Sequence, residues 1–477
     1  MKKISILFIA LLGLFNASCD KDFEEVNTTP NDPVAVPAHL LLGNIIRVNQ
    51  NTVYHMQRGG DMGMCWAQHV SKVQYNDEER YIPRRGVIND IWDVLYTGVI
   101  ADAKSMYTLA ESEENTNIQG ISLVLQANTF QILTDLYGPV PYTEACNPSI
   151  LKPAYDSQEV VYKGILDLLT KADALLANGT GSIPASSDLI YGGDASKWRK
   201  LANSLKLKVL MRISKAPGMN VGSQIQALAT SGNLMSSNSD SAQIKYIAAQ
   251  PDANPIYEQV VFGTRSEYKM SSVLVAKLQG LADPRLPVFA GKNNAGLYVG
   301  NIPGVENPGN YNGFSPLGTF YLSATLPGVL LSYAQSELLL AEAINEGYVS
   351  GGNAAALTHY KNGITANFAF NGITASAAAY VALPNIEFTN QADARLKIGD
   401  QKWIALFGQG FEAWTEWRRT GLPALSPVFD AAPGVPTIPS RLFYNDTENS
   451  LNKVNYDAAV GTLTGGDKLT SRLWWMN

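Results

Sequence analysis

The stretch "DQKWIALFGQGFEAWTEWRRTGLP", residues 400–423, decides the class of fold. Trp403, Phe407, Phe411 and Trp414 recur at the period that lines one side of a helix, the pattern of an element burying an apolar stripe. Arg418 and Arg419 stand where cations meet the negative end of the helix dipole, Gly421 offers a C-terminal cap, and Pro423 stops continuation. One strong helix is expected here. Trp414 and Trp417 are expected in the core, because rings at helical spacing more often pack inward than meet a ligand.

The same period recurs along the chain. Ile118, Ile121, Leu125, Ile132 and Leu136 line one face of a helix. In "GVLLSYAQSELLLAEAINE" (328–346), Leu331, Ala334, Leu338 and Ala341 repeat the pattern, with small residues that allow close helix approach. "GYVSGG" (347–352) then turns the chain into "NAAALTHYKNGITANF", a second helical segment, so an αα-hairpin is expected. "KWRKLANSLKLKVLMRISK" (197–215) interleaves cations with Trp198, Leu201, Leu205 and Val209, an amphipathic helix with a solvated or ion-paired outer face. No internal repeat of fixed period is legible.

Between about 236 and 325 the composition turns to Asn, Gly, Pro and Tyr, and long loops of this kind are commonly functional. After 423 the chain returns to loops, with "TIPSRLFYNDTEN" expected to pack back on the helices. Trp66, Tyr75, Tyr81, Tyr257, Phe262, Tyr268, Tyr298, Tyr311, Phe314 and Tyr321 lie in or beside segments without helical order. Flat rings suit the apolar faces of sugars or peptide side chains, and neighbouring Asn, Asp and Arg suit their polar edges. As a set these ten are the candidate ligand-binding residues.

The N-terminus has a different grammar. Lys2 and Lys3 precede an uncharged run, Ile4–Phe15, and the small residues Ala17 and Ser18, as in a secretory signal peptide spanning 1–18. Cys19 directly follows, and the arrangement resembles the bacterial lipobox, with Asn16 where that motif usually has Leu. The resemblance implies cleavage before Cys19 and lipidation of its thiol. Residues 19–37 are acidic and rich in Pro, Asn and Thr, so a flexible tether is expected, with 38–477 as a single folded body. The acids Asp20, Asp22, Glu24 and Glu25 look like the stretch that directs surface export of lipoproteins in Bacteroidota.

The formal charge is −6, and removal of Lys2 and Lys3 takes the mature chain to −8, which disfavours phosphate backbones and anionic lipid. After residue 18 no run is long and apolar enough for a membrane helix. Cys65 and Cys146 could form one disulfide or remain free thiols. The four histidines show no metal-ligand spacing, and neither a nucleophile elbow nor a phosphate-binding loop is present. No catalytic residue, metal or cofactor is therefore assigned. With 42 acids, a carboxylate pair assembled in space stays open, so a surface hydrolase is one alternative and a protein-binding helical scaffold another.

"LQANTFQILTDLYGPVPYTEA" (125–145), "SKWRKLANSLKLKVLMRIS" (196–214), "NPIY" (254–257), "DPRL" (283–286), "SYAQSELLLAEA" (332–343), "QKWIALFGQGFEAWTEWRRTGLP" (401–423) and "IPSRLFYNDTENSLNKVNY" (438–456) resemble, in order, the SusD/RagB-like nutrient-binding outer-membrane lipoproteins, in their divergent SusD-like branch. The resemblance implies a mainly α body of tetratricopeptide-like helical hairpins with long loop-rich insertions. It also implies a non-catalytic surface lipoprotein that binds an oligosaccharide or oligopeptide and delivers it to a TonB-dependent, SusC-like outer-membrane transporter. The hairpins would face the transporter and the loops would hold the nutrient. Tyr137, Gly138 and Pro139 read as a helix exit, with Arg441 and Tyr444 as packing and hydrogen-bonding partners. No ligand residue is carried over from the family.

Overall fold

Short polar side chains start the long helices by holding backbone amides that the helix leaves free. Asn115 accepts from the Ile118 amide, Ser157 from Val160, Asp194 from Ser196 and Lys197, Ser332 from Gln335, and Asn390 from Asp393. The structure is a computed structural model describing residues 36–476. The expected signal peptide, Cys19 and all but the end of the tether lie outside the described residues.

The principal helices in chain order are α1 (His39–Tyr54), α2 (Arg85–Leu95), α3 (Ala101–Ser112), α4 (Thr116–Tyr137), α5 (Gln158–Ala177), α6 (Ala195–Ile213), α7 (Gly222–Thr230), α8 (Ser272–Gly280), α9 (Tyr333–Asn345), α10 (Gly352–Phe370), α11 (Gln391–Ala405), α12 (Gly410–Thr420), α13 (Asp446–Leu451) and α14 (Lys453–Thr462). Neighbours in sequence pack as antiparallel pairs, α3 on α4, α4 on α5, α5 on α6 and α9 on α10, which are the expected hairpins. Two small antiparallel ribbons tie the loop-rich segments to the helices: β1 (Val70–Lys72) pairs with β3 (Tyr268–Met270), and β2 (Ala242–Ile244) with β4 (Gly328–Leu331). The fold is the mainly α body that the sequence predicts.

Three local expectations change. The segment 400–423 is two helices: α11 ends at Ala405, Gly408 adopts φ +88°, and α12 begins at Gly410. The break lets Gly410 lie against the π-type helix Met56–Met64, where a Cβ on Gly410 would fall 1.9 Å from the Gly59 carbonyl oxygen. Gly421 caps α12 in the left-handed conformation, as expected, and Trp414 is fully buried. In 328–346 the first four residues form β4, and only then does α9 start. Finally, α4 has almost no solvent face: Gln126, Asn128, Thr129 and Asp135 are buried along with its apolar residues because helices surround it.

The cations of α6 are largely ion-paired. Arg212 is buried, with Nη1 2.9 Å from Glu416 and Nη2 2.7 Å from Glu412. Lys402 and Arg419 share Glu342 and Glu416. Burial opposes ionisation of Glu416, yet Arg419, Lys402 and Arg212 outweigh it and hold the carboxyl well below the usual range. The helix exit is also as expected: Gly138 caps α4 at φ +94°, Arg441 donates to the Tyr137 carbonyl (2.9 Å), and Tyr444 donates to that of Pro139 (2.8 Å). Cys65 is a buried free thiol and Cys146 a free thiol at the surface.

Candidate ligand-binding cleft

The chain from β1 to the start of α2 (residues 70–85) crosses the body as a loop anchored by Trp66, whose indole donates to the Glu78 carbonyl (2.8 Å). Opposite it, the turn 263–267 leads into β3, and the β1–β3 ribbon fixes the distance between the two segments. Between them lies an open cleft of about 680 Å³, the size of a small-ligand site. One wall carries Lys72, Tyr75, Asp77, Glu78, Ile82, Pro83 and Arg84; the other carries Gly263, Thr264, Arg265 and Glu267. Two further clefts, of about 540 and 400 Å³, are lined in part by Asp188, Tyr191 and Lys245, and by Gln158, Arg472 and Trp474. The crevices of about 30 and 40 Å³ among the helices have room for water and not for a sugar ring.

Tyr75 lines the large cleft with 64 % of its surface exposed, and Phe262, 63 % exposed, precedes the turn that forms the other wall. Tyr75 sits at φ +54°, a conformation uncommon for an aromatic residue, with its amide donating to Asn307 Oδ1 (2.9 Å). Tyr311 is half-buried beside it: its hydroxyl donates to Gln74 and Lys269 Nζ lies 5.6 Å from its ring centroid. Burial, with the charges of Glu267 and Tyr75, raises the Tyr311 hydroxyl above its ordinary value. Of the ten candidates Tyr75 alone lines the cleft; Tyr311 is tied to its neighbour Gln74, and Phe262 is exposed next to Gly263 of the other wall. Tyr257, Tyr298 and Phe314 are half-buried and do not line this cleft.

Trp66, Tyr81, Tyr268 and Tyr321 are corrections to the sequence reading, because all four are core residues. Trp66 packs edge-on to Trp414, with ring centroids 4.8 Å apart, and to Tyr81 at 6.3 Å. The Tyr81 hydroxyl accepts from the Val428 amide (3.0 Å), and that of Tyr268 donates to Asp61 (2.7 Å). Tyr321 packs on Phe289 and Phe407. These rings have no outward face to offer; they build the bed under the loops.

Beneath the cleft lies a charged layer that sequence reasoning missed. Asp61 is fully buried, with Lys72 Nζ at 3.1 Å and Arg84 Nη2 at 3.3 Å. Burial pushes its carboxyl up, and the Lys72 ammonium works against that. Burial disfavours the Lys72 ammonium, but Asp61, Cys65 and Glu78 overcome it and raise its pKa. Glu78 pairs with Lys72 (3.6 Å) and Arg84, and Arg265 with Glu267 (2.7 Å). Each cation of the cleft therefore has a carboxylate partner. No spacing in the sequence could have announced this layer, since Asp61, Lys72, Glu78 and Tyr268 converge only through the ribbon and the loop. Among the described residues no cluster of three or more His, Cys, Asp or Glu is placed to hold a metal ion, and no helix is long and apolar enough to cross a membrane.

The family model SusD-like_2, described as starch-binding and associating with the outer membrane, matches residues 30–445. The chain belongs to the SusD-like family. This SusD-like chain is similar in structure to a SusD homologue from Bacteroides fragilis, at 27 % identity and TM-score 0.78, covering 92 % of this chain and 99 % of that one. It is also similar to a chitin-binding SusD homologue from Flavobacterium johnsoniae, at 25 % identity and TM-score 0.80, covering 92 % and 98 %. A third similar structure is an outer-membrane protein from Bacteroides vulgatus described in terms of nutrient binding, at 28 % identity and TM-score 0.79, covering 93 % and 100 %. A comparison with curated proteins finds no match. The SusD-like fold is therefore shared over nearly the whole chain.

Proposed function

We propose that this protein is a cell-surface, outer-membrane lipoprotein that binds a neutral oligosaccharide and passes it to a SusC-like, TonB-dependent transporter, without catalysis. The observation that carries the ligand class is the cleft itself: exposed Tyr75 and Phe262 border a polar trough in which Lys72, Arg84 and Arg265 are each paired with a carboxylate. Rings stack on sugar faces, and paired side chains offer hydrogen bonds without a surplus charge to attract an anion. The starch- and chitin-binding descriptions of the family and of relatives agree with that class. Asp61 and Glu78 are both held by cations, an arrangement unlike a free acid and base awaiting a glycosidic bond.

Cys19, with the leader before it and the acidic tether after it, supports a lipid anchor at the surface. Tyr75 is the centre of the binding surface, Phe262 flanks it, and Tyr257, Tyr298, Tyr311 and Phe314 are kept as its outer members. The test is a binding titration of the mature chain against starch, chitin and uronate oligosaccharides and oligopeptides to millimolar concentration, with product analysis on the same samples. Saturable binding of a neutral glycan, without product and weakened in Tyr75→Ala, is the expected result. Turnover overturns the non-catalytic reading, and preference for uronates or peptides overturns the ligand class. Delivery is tested separately by copurification with an outer-membrane barrel from detergent, and anchoring by release of Cys19→Ala into the soluble fraction.

A further inference from the structure

Behind the Tyr75–Tyr311 pair lie two buried polar side chains that line no cleft and touch no solvent, Asn76 and Glu79. Asn76 Nδ2 donates to the Val305 carbonyl (2.6 Å), and its Oδ1 accepts from the Asn307 amide (3.3 Å). Glu79 uses both carboxylate oxygens on backbone, accepting from the Lys72 amide (2.8 Å) and the Gly304 amide (3.0 Å). Each side chain thus ties the loop 301–311 to the 70–79 segment. Gly309 donates to the Val73 carbonyl (2.9 Å) in support, and Asn307, once held, accepts from the Tyr75 amide. A third segment locks on from outside, where Asp430 Oδ2 accepts from the Glu306 amide (2.8 Å) and Phe429 donates to the Pro303 carbonyl (2.9 Å).

Resting on the cleft reading above, we propose that Asn76 and Glu79 are positioning residues, a buried clasp that holds loop 301–311 against β1 and so sets the Tyr75–Tyr311 surface for ligand. Neither side chain needs to touch the ligand. Glu79 also accepts from Ser71 and Asn76 also donates to the Lys72 carbonyl (3.4 Å), so both side chains join their own segment to the loop, and loss of either leaves a loop amide without its acceptor in a dry site.

The clasp carries its own pH dependence. Burial pushes the Glu79 carboxyl up to about 7, against bonds from Ser71, Lys72 and Gly304 that pull it down. Lys72, and more distantly Asp61, Glu78, Cys65 and Tyr81, are the other titratable groups around it. Opening the loop wets Glu79 and returns it towards an ordinary glutamate. A carboxyl whose closed-state pKa is raised holds the closed state most firmly below the ordinary value, and that increment is lost as pH rises through the closed-state value. Between pH 6 and pH 8 the loop's opening constant is therefore expected to rise about tenfold.

The experiment is hydrogen exchange of the amides in 301–311 in the mature chain, corrected for intrinsic rate, from pH 5.5 to 8.5, alongside titration with N-acetylglucosamine hexasaccharide. Exchange needs no ligand. In Asn76→Ala and Glu79→Ala, opening is expected to rise at least tenfold, with weaker hexasaccharide binding and retained helical exchange protection elsewhere. Glu79→Gln is expected to flatten the pH dependence. Unchanged exchange in both alanine variants overturns the clasp. If exchange rises but affinity does not, Tyr75→Ala separates the cases: weakened binding there refutes positioning alone, and unchanged binding refutes the cleft reading with it.

Discussion

Gly410→Ala is the perturbation that most directly tests how this fold is assembled. The residue begins α12 in helical conformation, so in an open helix a methyl group would stabilise by about 1 kcal/mol. Here the added Cβ would lie 1.9 Å from the Gly59 carbonyl oxygen and 2.6 Å from the Met64 amide nitrogen, both backbone atoms of the π-type helix. Ordinary contact demands a retreat of roughly 1.5 Å. Gly63 faces the same contact from the other side, where a Cβ on it would fall 2.4 Å from the Gly410 carbonyl carbon, so neither backbone can yield alone. Overpacking of this kind costs about 1–3 kcal/mol, and separating the Trp66 and Trp414 rings removes about 1 kcal/mol more. A loss of about 3 kcal/mol is expected, read as a lower urea midpoint by tryptophan fluorescence. An effect within about 1 kcal/mol of the parent would refute the claim that backbone contact between these two glycine-bearing segments sets α12 against the loop bed.

Gly461→Ala is the matched control: this exposed glycine of α14 has nothing within 4 Å of its Cβ position, so the same substitution should raise stability by about 0.5–1 kcal/mol in the same assay. Glu416→Ala should cost about 3–5 kcal/mol by leaving Arg212, Lys402 and Arg419 short of a buried carboxylate, measured by urea unfolding at neutral pH. Because Glu416 is held below its usual range, its contribution is present above the ordinary glutamate value and is lost as acid protonates it. The gap between parent and Glu416→Ala should therefore close at low pH. Tyr75→Ala removes a ring that is 64 % exposed; stacking one face covers about 60 Å², so a glycan that stacks there should bind about tenfold more weakly in calorimetry, with stability within about 0.5 kcal/mol.

The helical architecture was legible because burial in a helix leaves a period. Trp403, Phe407, Phe411 and Trp414 point inward whether the segment is one helix or two, so the core assignment survives the break at Gly408. The break itself was not legible, since glycines tolerated within a helix and glycines required for close approach are the same letters; only the backbone of Met56–Met64 distinguishes them. The loop aromatics show the opposite case. Trp66 and Tyr75 stand nine positions apart in chain lacking a helical apolar period, yet one is wholly buried and the other lines the cleft.

By itself, the sequence determined the mainly α class, the hairpin of α9 and α10, the helix ends at Gly138 and Gly421, and, through its ordered motifs, the SusD-like family. These are local properties, written within a few helical turns. Only the tertiary structure decided which rings face outward, which cations lie paired in the interior, and that Asn76 and Glu79 close on a loop more than two hundred residues away. Burial outside regular elements depends on what long-range contacts bring alongside, and a loop has no periodicity in which that neighbour could be read.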